Sequence, residues 1–199
     1  RQTGGLGGRT LVYFTAIGLA FLFVEVTLLQ RFLLFLGHPV YTAAIVLSGF
    51  LLFAGLGSAL AGPLGRQYPP RWLVALAAAV IALVSGLYGA TLGPLFTAAA
   101  GLAMPLKALI GFGMIAPMAL AMGFPFPLAL QRLDRDAPNL VPWAWAVNGC
   151  ASVLSAVLAS LLAIHWGFAA VLGAAAGLYL LAAAAFPEIA PEGGIPPGA

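Results

Sequence analysis

The chain has 199 residues, of which 63% are hydrophobic and only 7% charged, with a formal net charge of +3. A soluble domain carries roughly a quarter of its residues as Asp, Glu, Lys or Arg, so this pool excludes a soluble globular surface. With a mean hydropathy of +1.08, the chain reads as a polytopic integral membrane protein, and its basic residues sit between apolar runs, where they mark orientation and not nucleic-acid binding.

Residues 1–9, RQTGGLGGR, form a basic, glycine-rich lead-in with the composition of a linker. No strand precedes these glycines and no G-x-G-x-x-G occurs, so no nucleotide loop is expected. The first span begins at Thr10 and is too long for a signal peptide, with no small-residue cleavage site. In its outer half stands Glu25. A carboxylate in such a run costs about 2.5–3.5 kcal/mol on insertion scales and must be neutral, paired or facing a wet cavity. Gln30 and Arg31 mark the far boundary, and Gly37-His38-Pro39 breaks the helix.

The second span covers 41–61. Ala54, Ser58 and Gly62 recur every fourth residue, with Gly57 and Ala61 in a parallel row; such rows admit a second backbone. A polar turn with Arg66 and Arg71 leads to a third span, 72–88. Residues 90–105, with Pro94 and Pro105, are expected as an interfacial connection. The fourth span, 106–128, begins near Lys107 and is broken by Pro117, Pro125 and Pro127. QRLDRDAPN is expected as a solvated loop, Asp134 and Asp136 balancing Arg132 and Arg135. The fifth span, 142–166, opens on the aromatic anchor Pro142-Trp143-Ala144-Trp145 and carries Asn148, Ser152, Ala156 and Ser160 on one face. Cys150, the single cysteine, is expected to be a buried, inert thiol. The sixth span, 168–186, contains a G-x-x-x-G pair, Gly173 and Gly177. Residues 187–199 read as a disordered Pro/Gly-rich tail.

The expected fold is therefore an all-α bundle of six transmembrane helices over 10–186. Six spans place both termini on one side, together with Arg1, Arg9, Arg66, Arg71, Arg132 and Arg135, against Arg31 and Lys107 on the other. The positive-inside rule makes that side cytoplasmic, in the inner (plasma) membrane.

The intramembrane polar candidates are Glu25, Gln30, Arg31, His38, Lys107 and Asn148. Arg31 lies six residues beyond Glu25, about 240° around the helix, so Lys107 is the better ion-pair partner by depth. A proton-relay or substrate-binding carboxylate is the functional alternative. Asn148 reads as interhelical glue or as a ligand contact. His38, His165 and Glu25 lack metal-site spacing, and no G-x-S-x-G, H-E-x-x-H or C-x-x-C is present. No catalytic, cofactor or metal residues are assigned.

Three ordered stretches, VEVTLLQRFLLFLGHPVYTAAIVLSGFLLFAGLGSALAG, MGFPFPLALQRL and WAWAVNGCASVLSAVLA, resemble the membrane domain of the spermidine synthase-like integral membrane proteins. The resemblance is carried by Glu25, Arg31, Gly57, Asn148 and a Gly-x-x-Phe-Pro-Leu element at Gly123, Phe126, Pro127 and Leu128. Relatives commonly join this part to an aminopropyltransferase-like or methyltransferase-like domain, of which this sequence has no trace, so transfer from a sulfonium donor is not implied. The expected function is a non-catalytic membrane module, an anchor or scaffold in the lipid bilayer for a soluble domain or other membrane subunits, with no nucleic-acid partner. The alternative is a small carrier using Glu25, Lys107 and Asn148 around the proline-broken fourth span.

Overall fold

The structure, a computed structural model, describes residues 3–187, with side chains described from Gly7. Every regular element among them is helical, and five stretches are long and apolar enough to cross a membrane. Hydrocarbon offers no partner to a free peptide group, so the backbone of a lipid-exposed segment must close its hydrogen bonds within itself.

Helix α1 spans Thr3–Leu36. The lead-in therefore belongs to the helix from Thr3 onward, because nothing in TGGLGGR breaks a helix that the following apolar run has nucleated. It stops where Gly37 takes a left-handed φ of +72° and donates its N–H to the Leu33 carbonyl at 2.9 Å, a C-terminal stop that favours glycine. Helix α2, Pro39–Gln67, starts with proline in its first turn and ends before Pro69-Pro70.

Helix α3, Pro70–Ala98, runs ten residues past the expected boundary at Tyr88 and carries Pro94 inside it. Residues 90–98 are thus helix and not an interfacial connection. One missing N–H costs less in lipid than a whole segment of unbonded backbone. The Tyr88 hydroxyl bonds the Met114 carbonyl and ties α3 to α4. Helix α4, Met104–Met122, and helix α5, Pro125–Asp136, divide the expected fourth span at Gly123-Phe124. Residues 131–136 continue α5 in place of a loop, and Arg132 pairs with Asp136 one turn on at 3.0 Å.

A short 3-10 turn, Pro138–Leu140, leads to α6, Val141–Ala184. Within α6, Gly167 leaves helical geometry with φ +80° and ψ 167°, and the chain reverses there. Before it, Asn148 lies beside Phe14 and Ser155 beside Leu19. After it, Phe168 lies beneath Arg31, while the ring of Phe186 is back against Tyr13 at 5.7 Å. The two arms, 141–166 and 168–184, therefore run up and down along α1. The Arg9 guanidinium closes the return by donating to the Phe186 carbonyl at 3.0 Å. Residues 188–199, most of the expected tail, lie outside the described residues, as do Arg1 and Gln2.

Helix α1 is the most enclosed of the spans, with Tyr13, Phe14, Val24, Leu28 and Phe32 fully buried. Helix α2 packs chiefly on α4, and α3 on α6. The tightest approach joins α2 to the α4–α5 junction. A Cβ on Gly57 would fall inside the van der Waals shell of the Leu120 carbonyl oxygen, and one on Gly123 would strike the Ala54 carbonyl and the Ser58 nitrogen, at 2.9 Å. The small-residue row on α2 is thus a backbone contact in which Gly57 is central and Ala54 and Ser58 are its flanks. A Cβ on Gly62 would lie 3.8 Å from the Gln131 amide nitrogen, an ordinary contact.

The expected contact through Gly173 and Gly177 does not form within this chain. Both are exposed, and a Cβ on either would meet nothing within 4 Å. The second arm of α6 buries Val171, Leu172, Ala175, Tyr179 and Ala182, because the larger side chains on that stripe fill the groove beside α1 and turn the glycines outward.

Gly57→Ala should therefore lower stability by about 1–3 kcal/mol, since the obstructing atom is backbone that cannot rotate away. Gly55→Ala and Gly177→Ala, both facing open space, should leave the melting temperature in detergent within a degree or two. Equal loss at Gly57 and Gly177 would contradict the packing.

Candidate functional site

Two prolines remove the donors that would carry one helix through residues 121–127, so α4 and α5 meet at a break. The Ala121 carbonyl, which Pro125 leaves without its donor, finds another, and the start of α5 is tied to α1. The Phe124 N–H donates to the Ala121 carbonyl at 3.3 Å, and the buried Tyr13 hydroxyl donates to the Pro125 carbonyl at 2.7 Å. Beside this break lies a cleft of about 340 Å³ between α1, α2, the α4–α5 junction and both arms of α6. Gly18, Ser58, Gly123, Pro127, Asn148 and Ser152 line it. Phe126 stands edge-on to Phe14 at 5.4 Å and to Trp145 at 4.8 Å, an aromatic wall at its mouth.

Gly18 sets the geometry of the opposite wall. A Cβ there would lie 2.6 Å from the Asn148 carbonyl oxygen, so only glycine lets α1 and the first arm of α6 approach this closely. The approach puts the Asn148 amide within reach of α1, where Nδ2 donates to the Phe14 carbonyl at 3.1 Å. The single Ser152 hydroxyl proton has the Asn148 carbonyl at 2.9 Å and the Gly18 carbonyl at 3.3 Å in reach, and Ser155 donates to the Leu19 carbonyl at 2.6 Å. The face turned to α1 is thus Asn148, Ser152, Ser155 and Ala159, with Ser160 at its edge accepting from the Gln30 amide at 3.4 Å. Asn148 is interhelical glue and a lining residue at once.

The structure does not assemble Glu25, Lys107 and Asn148. Glu25 is half-buried on α1 and makes no hydrogen bond or ion pair with any described residue. The expected Lys107 partner lies instead with its Nζ 5.4 Å from the centre of the Phe35 ring. Phe35 is ten residues beyond Glu25, about 15 Å along the helix axis, so the α4 start sits far above the carboxylate. Arg31 stacks its guanidinium 4.9 Å over Phe168. His38 is exposed, edge-on to Tyr41 at 5.8 Å, and the His165 ring is bonded to its own helix at the Leu161 carbonyl, 2.9 Å away. Cys150 is exposed on the outer face of α6, not buried; the stripe turned to α1 is taken by Asn148, Ala151 and Ser152, and Cys150 falls opposite it.

Among the described residues no three His, Cys, Asp or Glu side chains come together as a metal site. The cleft presents an amide, the hydroxyls of Ser58, Ser152 and Tyr179, and aromatic rings. That set can hydrogen-bond a neutral polar group; it holds no nucleophile with a base in reach. Tyr13 and Gly18 are the site residues that sequence reasoning passed over. The available signal for Gly18 was a lone glycine four residues after Phe14 in an otherwise bulky run.

Gly123, Phe126, Pro127 and Asn148 line this cleft, and Gly57 backs Gly123 from α2. Comparison with known protein families, with curated proteins and with solved structures finds no match. The fold and the cleft define a multi-pass, all-helical membrane protein.

Gly18→Ala should destabilise more than Asn148→Ala, because the first forces backbones apart while the second removes one interhelical bond, worth about 0.6 kcal/mol on average in membrane proteins. Glu25→Gln should change stability by less than about 0.5 kcal/mol, as for a side chain with no partner. Denaturation of the three variants in mixed micelles checks this; a loss above about 1 kcal/mol for Glu25→Gln would reveal a bond absent from the structure.

Proposed function

We propose that this chain is a non-catalytic membrane module, a scaffold that holds a soluble domain or further membrane subunits at the bilayer. The observation that supports it is the use of the interior polar groups. Tyr13, Gln30, Asn148, Ser152 and Ser155 all bond one helix to another, which fixes a rigid bundle and leaves no reactive set. The resemblance to the membrane domain of the spermidine synthase-like integral membrane proteins points the same way, since that domain is commonly joined to a soluble one.

In this reading the chain crosses the membrane six times, the two arms of α6 counting as separate spans, with both termini cytoplasmic in the inner membrane. Support comes from charge. Arg9, Arg66, Arg71, Arg132 and Arg135 belong to helix ends that meet at one end of the bundle, where Gly65 approaches Leu128. Arg31 and Lys107 belong to the other. With Cys150 replaced by Ser, a thiol at Gly37 or His165 should react with an impermeant maleimide added outside cells. One at Gln67 or Asp134 should react only after permeabilisation. The opposite pattern would invert the orientation.

A carrier is the second reading, favoured by the cleft that Asn148 lines beside a broken helix. Uptake of small neutral solutes by proteoliposomes separates the two. The scaffold reading expects no uptake above protein-free vesicles, together with a complex larger than the lone chain on native gels of gently solubilised membranes. Uptake that Asn148→Ala abolishes would replace the scaffold with the carrier.

A further inference from the structure

We propose that the end of the bundle opposite Arg9 carries a binding site for a phosphate-bearing anion, formed by Arg31 with Lys107 as the second cation. A pocket of about 400 Å³ opens there between the last turns of α1 and α3, lined by Arg31, Leu34, Phe35, Gly93, Phe96 and Thr97.

Arg31 is positioned but not satisfied. Its guanidinium lies over the Phe168 ring at 4.9 Å, and its Nε is buried without an acceptor among the described residues. A guanidinium carries five N–H donors in a planar fork and is always charged. The ring face attracts the positive charge and accepts none of those donors in line.

Among the described residues no carboxylate answers that charge. Of the five acidic residues in the chain, Asp134 and Asp136 sit on α5 toward the other end, and Glu188 and Glu192 lie outside the described residues. Glu25 is six residues back on α1, about 9 Å along the axis and on a different face. Lys107 adds to the excess. Its Nζ is 5.4 Å from the Phe35 ring, which in turn stacks on Phe96 at 4.3 Å and 9°. Lys107 thus lies against the ring of Phe35, a wall of the pocket that Arg31 also lines, at the end of the bundle where α1 stops and α4 starts.

A cation withdrawn from bulk water without a counter-ion is costly, and an anion seated in the fork removes that cost. Phosphate fits best, because its oxygens accept the paired parallel bonds that arginine offers. Leu34, Phe35 and Phe96 give the same pocket an apolar floor, which suits a headgroup attached to a glycerol and acyl chain. A phospholipid and free phosphate share this chemistry.

The test uses the full chain, delipidated in a neutral detergent. It is titrated separately with a short-chain phosphatidylglycerol, a phosphate-free galactolipid of the same acyl length, and inorganic phosphate. Bound adducts are counted by native mass spectrometry and stabilisation is read as a thermal shift. Phosphatidylglycerol should bind about tenfold or more tightly than the galactolipid, the size expected for charge-assisted bonds. Arg31→Gln should abolish that preference, Lys107→Gln should weaken it about threefold, and Arg66→Gln at the far end should leave it unchanged. Arg31→Lys keeps the charge, loses the fork and should fall between wild type and Arg31→Gln, which guards against a folding defect in the glutamine variant. Inorganic phosphate that binds with the same dependence on Arg31 supports the anion site and assigns it to a soluble ligand. Equal binding of the two lipids by the wild-type chain, or wild-type binding of phosphatidylglycerol by both Arg31 variants, overturns the proposal.

Discussion

The close approach of α1 to the first arm of α6 at Gly18 is the contact on which the remaining architecture depends. In hydrocarbon, apolar side chains gain nothing by leaving lipid for one another, so helices associate through tight packing and interhelical hydrogen bonds. Gly18 supplies the first and Asn148, Ser152 and Ser155 the second. Once these two helices are clamped, the turn at Gly167 returns the chain along α1, and α1 becomes the enclosed axis of the bundle. A second glycine contact, Gly57 against Gly123, then seats α2 on the α4–α5 junction.

The break between α4 and α5 shows how such a bundle accommodates an interruption. Pro125 and Pro127 take two donors out of the ladder at the depth where the cleft forms. The Ala121 carbonyl that Pro125 leaves without its donor is met by the i+3 bond from Phe124, and the Tyr13 hydroxyl ties the start of α5 to α1 through the Pro125 carbonyl. A break stabilised from a distant helix is a rigid element, and the cleft beside it is preformed. That rigidity suits a scaffold, and it also keeps the Asn148 amide aimed at a fixed space.

Charge is distributed unevenly between the two ends. At the Arg9 end, Arg9 has the Phe186 carbonyl and Arg132 the Asp136 carboxylate. At the other end Arg31 and Lys107 rest on aromatic rings. Ring faces hold a cation in place without neutralising it, so the two ends present different chemistry to whatever meets the membrane surface there.

The membrane class, the approximate position of each apolar run and the breaks at Gly37-His38-Pro39 and near Trp166 followed from sequence alone, because hydrophobic length and helix-breaking residues act locally. So did the small-residue row on α2, whose spacing declares a packing face without naming the partner. The continuation of α3 through Pro94 was not legible, since proline reads as a breaker until the absence of competing solvent is weighed against it. The pairing of Glu25 with Lys107, the burial of Cys150 and the contact through Gly173 and Gly177 all failed for one reason. Periodicity shows which residues share a face of one helix; the azimuth and depth at which that face meets its neighbours are set by the summed packing of all the helices. Only the tertiary structure decided that Gly18 meets Asn148, that Gly177 faces outward, and that Arg31 rests on a ring with no acid beside it among the described residues.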